Sequence, residues 1–379
     1  MKNRLRRIVA LGALALLGSA HARASTQQPQ HAAPAASSAE SRLPAFLANY
    51  LPFNPGSKIT VERTSEKLPG FQGWKFKRTG KYPKLEAERT VWVSDDGKWL
   101  FDGDTLVNPQ PKPVTSAADL AWVETKTAAL YRTKARALMV PERDAAGLKG
   151  VAMAVESGFG PVRVPGYITP DGTRFFNGML WDFQGDPREE RKRRIDLSAQ
   201  RFEGKPDGTI TIAEYADMEC GYCRFRGTQM DALLEANPGL SYKRYYKFFP
   251  LWFSHVWSMK AASAADCIFR FAKGQMFAFK KQVYSQQPIL TVATIDELAI
   301  TFAEAAGIPR ADFLGCYLRE DSLADVRKDL EEGQRLGVKS TPTYFIDGTE
   351  ITWIEDKVME DFLRTKDPNL KSIDYGKKD

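Results

Sequence analysis

The amino-acid sequence predicts an α/β domain in its C-terminal half, preceded by an α+β region. The α/β domain is predicted by the order of its segments. A strand rich in β-branched residues at Thr209–Ala216 precedes a helix ending near Ala236 and a second strand at Leu240–Phe249, and helical segments and a closing β-hairpin follow. The α+β region is predicted by two β-rich runs, each built around an Asp-Gly turn, with a helical segment between them.

The positive charge of the chain is concentrated at its start. Of 379 residues, 54 are Lys or Arg and 47 are Asp or Glu, which gives a net charge of +7. The first 24 residues hold five of the basic residues and no acid, so the rest carries 7 − 5 = +2. We therefore expect no nucleic-acid partner, because a chain so near neutrality has no strong field to attract phosphates. Of three histidines, only His255 lies in a region expected to fold, which argues against a Ser-His-Asp triad.

The N-terminus has the layout of a secretory signal peptide, predicted to span residues 1–24. Met1–Arg7 is basic, Ile8–Ala20 is an apolar run of 13 residues, and small residues follow at Ala22-Arg23-Ala24. The run is shorter than the about 20 residues that cross a bilayer, although an uncleaved anchor is the alternative. We expect a protein exported to the periplasm, whose residues 25–41, rich in Ala, Ser, Gln and Pro, form a disordered tether.

Residues 42–185 form the α+β region and contain a faint duplication. Val91–Gly103 and Gly166–Gly178 share the pattern Asp-Gly-x-x-x-Phe-x-Gly at an offset of 75 residues. Asp-Gly between β-rich runs is typical of a two-residue hairpin turn. The pattern predicts two related units at 42–115 and 116–185, and two unrelated hairpins with common turn chemistry are the alternative.

Two helices are predicted beside these hairpins. Ser116–Val140 carries apolar residues at helical spacing and is expected to pack on the hairpins. Asp186–Arg201 has Pro187 at a favourable first helical position and a run of mixed charge, which predicts a solvated helix within a linker at 186–204.

The C-terminal domain is predicted to span residues 205–370. After the β-α-β unit, the predicted elements are helices at Phe253–Lys273, Met276–Gln286, Thr294–Ala306 and Arg310–Leu336, strands at Thr343–Asp347 and Glu350–Trp353, and a helix at Lys357–Arg364. A β-α-β unit, a helical insertion and a final β-β-α unit make a thioredoxin-like fold.

The motif Cys220-Gly221-Tyr222-Cys223 lies between the first strand of this domain and its helix. A thiol at a helix N-terminus faces unsatisfied backbone N–H groups and the positive end of the helix dipole, and both stabilise its thiolate. Cys220 is therefore the candidate nucleophile toward a disulfide, and Cys223 is the candidate resolving thiol. The alternatives are half of a zinc site, for which no second Cys-x-x-Cys exists, and an inert short-range disulfide. We expect no metal and no cofactor.

Two separated runs carry a resemblance to a known family. Glu214 to Cys223 reads EYADMECGYC, and Gly337 to Gly348 reads GVKSTPTYFIDG. In this order they resemble the exported Dsb thiol-disulfide oxidoreductases of the thioredoxin-like superfamily. The resemblance implies a cis Thr341–Pro342 bond beside the dithiol, with both residues contacting substrate together with Gly221 and Tyr222.

The resemblance also implies roles for three further residues. Glu214 corresponds to a buried acid that exchanges a proton with Cys223, whereas an exposed strand glutamate is the alternative. Cys267 and Cys316 correspond to a structural disulfide found in some members, whereas two buried free thiols are the alternative.

The Gly-Tyr dipeptide and the Thr before Pro342 resemble the DsbC/DsbG-like isomerase branch. That branch implies a homodimer formed through the N-terminal region, although its members have one α+β unit and this chain has two. With no histidine available to stabilise the Cys220 thiolate, we expect a milder oxidant than the oxidase branch. A DsbA-like oxidase and a client-binding holdase are the alternatives. Expected partners are exported proteins with thiols or disulfides and a membrane redox partner.

Overall fold

The structure is a computed structural model that describes residues 38–317, 319 and 322–375. The predicted signal peptide lies outside the described residues, as does the predicted tether up to residue 37. The tether was expected to reach Ser41, but helix α1, Ala39–Tyr50, already begins at Ala39. The helix forms here because Leu43, Phe46 and Leu47 lie on one face, where all three are buried.

The N-terminal region consists of two five-stranded antiparallel sheets and helix α2. Its elements after α1 are β1 (Lys58–Leu68), β2 (Phe71–Thr79), β3 (Ala87–Ser94), β4 (Trp99–Phe101), β5 (Asp104–Val107), α2 (Ala121–Tyr131), β6 (Ala135–Met139), β7 (Lys149–Ser157), β8 (Gly160–Ile168), β9 (Arg174–Asn177) and β10 (Leu180–Asp182). The first sheet has the order β1-β2-β3-β4-β10 and the second has the order β5-β9-β8-β7-β6.

The order of elements repeats along the chain, and the two repeats exchange their last strands. Helix α1 with β1 to β5 is followed by α2 with β6 to β10, and the two Asp-Gly turns occupy the same place, between β3 and β4 and between β8 and β9. However, β5 pairs with β9 and β10 pairs with β4. The two predicted units are therefore not separate sheets, because each sheet is completed by a strand from the other repeat.

The predicted helix Ser116–Val140 is too long. Helix α2 ends at Tyr131, because Arg132 adopts a left-handed conformation with φ of 54°. The residues after it form β6, which pairs with β7. The apolar residues that suggested one long helix belong in part to α2 and in part to β6, because a helical spacing of apolar residues can continue by chance into a following strand.

The linker helix is also shorter than predicted. Helix α3 covers Pro187–Arg194, and Asp186 caps it by accepting the backbone N–H of Arg188 at 2.8 Å. The rest of the predicted linker includes strand β11, Phe202–Gly204, which belongs to the C-terminal sheet. Arg191 of α3 is buried and donates to the carbonyl oxygens of Asn49 (3.1 Å) and Gly348 (3.4 Å), so it joins α1 to the C-terminal domain.

The C-terminal domain has the predicted thioredoxin-like fold. After β11 its elements are β12 (Ile210–Ala216), α4 (Gly221–Ala236), β13 (Tyr242–Phe248), α5 (Ser258–Phe271), α6 (Met276–Gln286), α7 (Thr294–Ala305), α8 (Arg310–Tyr317), α9 (Ser322–Arg335), β14 (Thr343–Ile346), β15 (Thr349–Ile351) and α10 (Val358–Arg364). The sheet order is β11-β13-β12-β14-β15, with β12 parallel to β13 and antiparallel to β14.

Two helix predictions in the insertion need correction. The predicted helix Arg310–Leu336 is divided into α8 and α9. The predicted helix from Phe253 begins only at Ser258, because Leu251–Trp257 forms a loop whose backbone is bonded to residues around the dithiol motif. Within the described ranges, no helix is long and apolar enough to cross a membrane.

A disulfide joins the helices of the insertion. Cys267 of α5 and Cys316 of α8 are bonded, with their Cα atoms 5.9 Å apart. Helix α5 is buried along nearly its whole length, because its alanine and serine side chains allow close packing of the neighbouring helices. The bridge therefore joins two helices of the insertion, and Cys267 belongs to the same buried cluster as Cys220 and Cys223.

Replacing Cys267 and Cys316 together by alanine should lower the free energy of unfolding by about 2–4 kcal/mol, because the bridge restricts the unfolded chain. Urea unfolding followed by tryptophan fluorescence would measure the loss. Cys220→Ala, which leaves the bridge intact, is the control and should unfold close to the wild type. An unchanged midpoint in the double variant would contradict a stabilising role.

Candidate active site

Three chain segments meet at one end of the C-terminal sheet. Because β12 and β13 are parallel, the residues that follow them lie at the same end of the sheet, the one where both strands have their C-termini. These residues are Asp217 and the loop Leu251–Trp257. Strand β14 is antiparallel to β12 and pairs Thr343 with Tyr215, so the residues before it also reach this end. The sheet topology therefore brings the dithiol motif, this loop and Thr341–Pro342 together.

Cys220 is the N-terminal cap of α4, and only 7% of the residue is exposed. Its backbone is held from the insertion, because the side-chain amide of Gln287 donates to the carbonyl oxygens of Met218 (2.8 Å) and Cys220 (3.1 Å). The carboxylate of Glu219 accepts the backbone N–H groups of Val256 (3.1 Å) and Trp257 (2.6 Å). These bonds hold the motif at the start of the helix between two loops.

The Thr341–Pro342 peptide bond is cis and faces the first cysteine. The Cys220 sulfur lies 3.5 Å from the carbonyl oxygen of Thr341, to which it donates a hydrogen bond in its protonated form. The turn before β14 is held by the Thr343 hydroxyl, which donates to the carbonyl oxygen of Ser340 at 2.7 Å. The structure thus places Cys220 beside the backbone that the resemblance implied as a substrate contact.

The two thiols of the motif have opposite acidities. The pKa of Cys220 is lowered to about 6 by hydrogen bonds from the side chain of Cys223, the side chain of Thr341 and the backbone N–H of Cys223, which together outweigh burial and the charge of Asp217. The pKa of Cys223 is raised well above its usual value, mainly by burial and also by its contact with Cys220. At neutral pH Cys220 is therefore a thiolate, whereas Cys223 is a thiol.

Glu214 is fully buried, which excludes the exposed-glutamate alternative. One carboxylate oxygen accepts Nε of Arg244 at 2.7 Å, and the other accepts the hydroxyl of Tyr344 at 3.3 Å. The hydrogen bond to Cys223 comes instead from the backbone N–H of Asp217, at 3.4 Å. Both oxygens of the Glu214 carboxylate are therefore hydrogen-bonded to residues other than Cys223. Proton exchange between Glu214 and Cys223 stays a prediction.

A histidine does lie at the site, contrary to the sequence-based expectation. The Nδ1 atom of His255 is 2.6 Å from a carboxylate oxygen of Asp217. The pKa of His255 is raised by this hydrogen bond first, and also by the negative charges of Asp217, Cys220 and Glu219. The expectation that no histidine would stabilise the thiolate considered only the two residues between the cysteines, whereas His255 lies in the loop after β13. Predicting that β12 and β13 are parallel neighbours would have indicated this position, because the residues that follow two such strands lie at the same end of the sheet.

The remaining predicted site residues lie where the motif meets solvent. Nothing lies within 4 Å of the Cβ position of Gly221, and Tyr222 is 71% exposed. Among the described residues, no group of three or more His, Cys, Asp or Glu side chains is arranged to hold a metal ion. Gly221 and Tyr222 are therefore the solvent-exposed part of the motif.

Residues 197–364 match a protein-family model described as thioredoxin. Among curated proteins, the probable disulfide bond formation protein D of Bacillus cereus is 25% identical over 176 residues, which cover 45% of this chain and 80% of that protein. A crystal structure of oxidised BdbD from Bacillus subtilis matches with a TM-score of 0.41 and 18% identity, covering 45% of this chain and 94% of that chain. The family and relative matches confirm the resemblance identified in the sequence.

A second group of similar proteins carries a different name. The Na(+)/H(+) antiporter NhaA 1 of Mycobacterium sp. (strain KMS) is 27% identical over 157 residues, which cover 41% of this chain and 25% of that protein. The chain thus spans about a quarter of the length of the antiporters that it matches.

We expect Cys220 to react with iodoacetamide at a half-maximal rate near pH 6, whereas an unperturbed cysteine reaches this point near pH 8.5. The thiolate is the reactive form, so the rate rises as the pH rises through the pKa of Cys220. Peptide mass spectrometry after timed alkylation of the reduced chain would measure it. Cys220→Ala is the control for reaction at the buried Cys223, and a midpoint near pH 8.5 would contradict a stabilised thiolate.

Proposed function

We propose that this chain catalyses thiol-disulfide exchange on exported polypeptides, with Cys220 as the attacking thiol, and the match of residues 197–364 to a protein-family model described as thioredoxin supports this proposal. The observation that carries the proposal is the position of the Cys220 sulfur at the start of α4, where its pKa is lowered to about 6 and the Thr341 carbonyl oxygen lies 3.5 Å away. A thiolate at neutral pH and a buried second thiol are the two groups that exchange requires.

The exchange begins at the client disulfide. The Cys220 thiolate attacks one client sulfur, the client S–S bond breaks, and the released client thiolate takes up a proton. In the resulting mixed disulfide, Cys223 loses its proton and attacks the Cys220 sulfur, which releases the client as a dithiol and leaves Cys220 and Cys223 joined. For isomerisation, another client thiolate attacks the mixed disulfide instead and restores the Cys220 thiolate.

Exposed apolar side chains around the motif support an unfolded polypeptide as the substrate. Tyr222 lies in the motif, Phe253 and Val256 lie in the loop after β13, and Ile289 follows Gln287, whose amide holds the motif backbone. Large exposed apolar side chains grouped at one place favour contact with apolar segments of another chain. Thr341 and Pro342 are proposed to contact the client backbone beside its cysteine.

The N-terminal region adds to this surface. The ring of Tyr131, the last residue of α2, stacks on Trp252 with centroids 6.1 Å apart and planes 4° apart, and it meets Phe253 edge-on at 6.0 Å. The loop beside the dithiol is therefore supported by the N-terminal region, and Leu130, which precedes Tyr131 in α2 and is 68% exposed, adds one more exposed apolar side chain. A longer surface suits a misfolded client better than a short peptide.

Isomerisation is the proposed reaction, and oxidation is the second candidate. The Gly-Tyr dipeptide and the Thr341–Pro342 pair favour isomerisation, as does the support from the N-terminal region. The presence of His255 beside the dithiol favours the oxidase, because a better stabilised thiolate makes the corresponding disulfide a stronger oxidant. Export to the periplasm, a membrane redox partner and homodimerisation stay predictions from the sequence.

Cys220→Ala should abolish the reactivation of scrambled ribonuclease A, because no other thiol reaches the client. Cys223→Ala should retain attack but accumulate mixed disulfides, visible as a reductant-sensitive mass increase. Suppression of citrate synthase aggregation separates catalysis from a holdase role, since a holdase would keep its full effect in Cys220→Ala. Unchanged reactivation by Cys220→Ala would contradict the proposal.

The equilibrium redox potential of the Cys220/Cys223 pair in glutathione buffers should separate the two reactions. We expect a value near that of protein disulfide isomerase, about −180 mV, for an isomerase, whereas a value near that of DsbA, about −120 mV, would favour the oxidase. Alkylation followed by mass spectrometry reads the fraction oxidised, and the Cys267–Cys316 bridge serves as the internal control that stays oxidised throughout.

A further inference from the structure

A buried carboxylate belongs to Asp217, the residue that follows β12 and precedes the motif by three positions. The side chain of Asp217 is fully buried; one of its oxygens accepts the backbone N–H of Glu219 at 2.8 Å, and the other accepts that of Leu251, also at 2.8 Å. The backbone N–H of Asp217 itself donates to the sulfur of Cys223 at 3.4 Å. The carboxylate is therefore fixed next to the dithiol by its own neighbours.

A negative charge at this position opposes the chemistry proposed for Cys220. It raises the pKa of Cys220 against the hydrogen bond from Cys223 that lowers it, and it adds to the burial that raises the pKa of Cys223. Exchange needs a thiolate on each sulfur in turn. Unless a positive group neutralises it, the Asp217 carboxylate therefore disfavours both the Cys220 thiolate and the Cys223 thiolate.

We propose that His255 is a positioning residue for thiol-disulfide exchange, whose imidazolium neutralises the buried carboxylate of Asp217 and thereby stabilises the Cys220 thiolate. The inference rests on the proposed function of Cys220 as the nucleophile. The 2.6 Å contact between His255 and Asp217 carries it, because this contact puts the only described histidine on the carboxylate of the residue whose backbone N–H donates to Cys223.

The charged groups around the imidazole all favour its protonated form. Asp217 and Glu219 come from the segment between β12 and α4, and Cys220 comes from the start of α4. The side chain of His255 is 25% exposed, so it exchanges protons with solvent while it covers Asp217. As the pH rises through the raised pKa of His255, the imidazolium is lost, and with it the stabilisation of the thiolate.

The backbone of the loop is held without the imidazole. The N–H of His255 donates to the carbonyl oxygen of Leu251 at 2.8 Å, and the hydroxyl of Ser258 donates to the carbonyl oxygen of His255 at 3.0 Å. Glu219 holds Val256 and Trp257 independently. Removing the ring therefore changes the charge at the site while the loop keeps its main-chain bonds.

His255→Asn keeps a hydrogen-bond donor toward Asp217 but removes the charge. In this variant the pH profile of Cys220 alkylation should move to higher pH, with the rate at pH 6 reduced about threefold or more, because a nearby opposite charge is lost. Ser254→Ala, an exposed neighbour in the same loop, is the matched control and should leave the profile unchanged. Circular dichroism would confirm that each variant is folded.

The outcomes separate the two proposals. A wild-type midpoint near pH 8.5 would overturn the proposed function itself, whereas a low wild-type midpoint that His255→Asn leaves in place would overturn only the role of His255. NMR titration of the imidazole provides a second readout. The pKa of His255 should fall in Cys220→Ala, because the thiolate that favours the imidazolium is absent, and an unchanged titration would also overturn the inference.

Discussion

The candidate site depends on one constraint: the first residues of α4 lie close to the residues that precede β14. It places the Cys220 sulfur at the Thr341 carbonyl oxygen and within reach of the backbone N–H of Cys223. Both elements are anchored to β12, the central strand of the C-terminal sheet, so the distance between them is set by a rigid part of the fold. The pKa of Cys220 is lowered first by the hydrogen bond from the Cys223 side chain and then by those from the Thr341 side chain and the backbone N–H of Cys223, and this arrangement brings all three groups to the sulfur.

The surroundings of the dithiol hold this approach in place from two sides. Gln287 of the insertion donates to the carbonyl oxygens of Met218 and Cys220, and Glu219, the residue before the motif, accepts backbone N–H groups of the loop after β13. Residues from the N-terminal region continue the support through Tyr131. At the other end of the strands, Arg191 of α3 donates hydrogen bonds to Asn49 of α1 and to Gly348 in the turn between β14 and β15. The N-terminal region is thus part of the environment of the site.

The sequence predicted the local features of the fold well and its non-local pairings poorly. The position of Cys220 before a helix followed from a strand, a turn and helical spacing, and the turn at Asp347-Gly348 followed from residues that favour positive φ, which both adopt. The duplication could be suspected from two Asp-Gly turns. The exchange of β5 and β10 could not, because strand pairing depends on residues distant in sequence.

The candidate site divides in the same way. The spacing of Cys220 and Cys223, and their order relative to Thr341–Pro342, are fixed by the amino-acid sequence, so the sequence by itself determined the candidate dithiol and the candidate segment opposite it. Which charges face that pair was decided only by tertiary structure. Asp217 and His255 are 38 residues apart and meet because β12 and β13 are parallel neighbours, whereas Glu214, expected beside Cys223, is held by Arg244 and Tyr344.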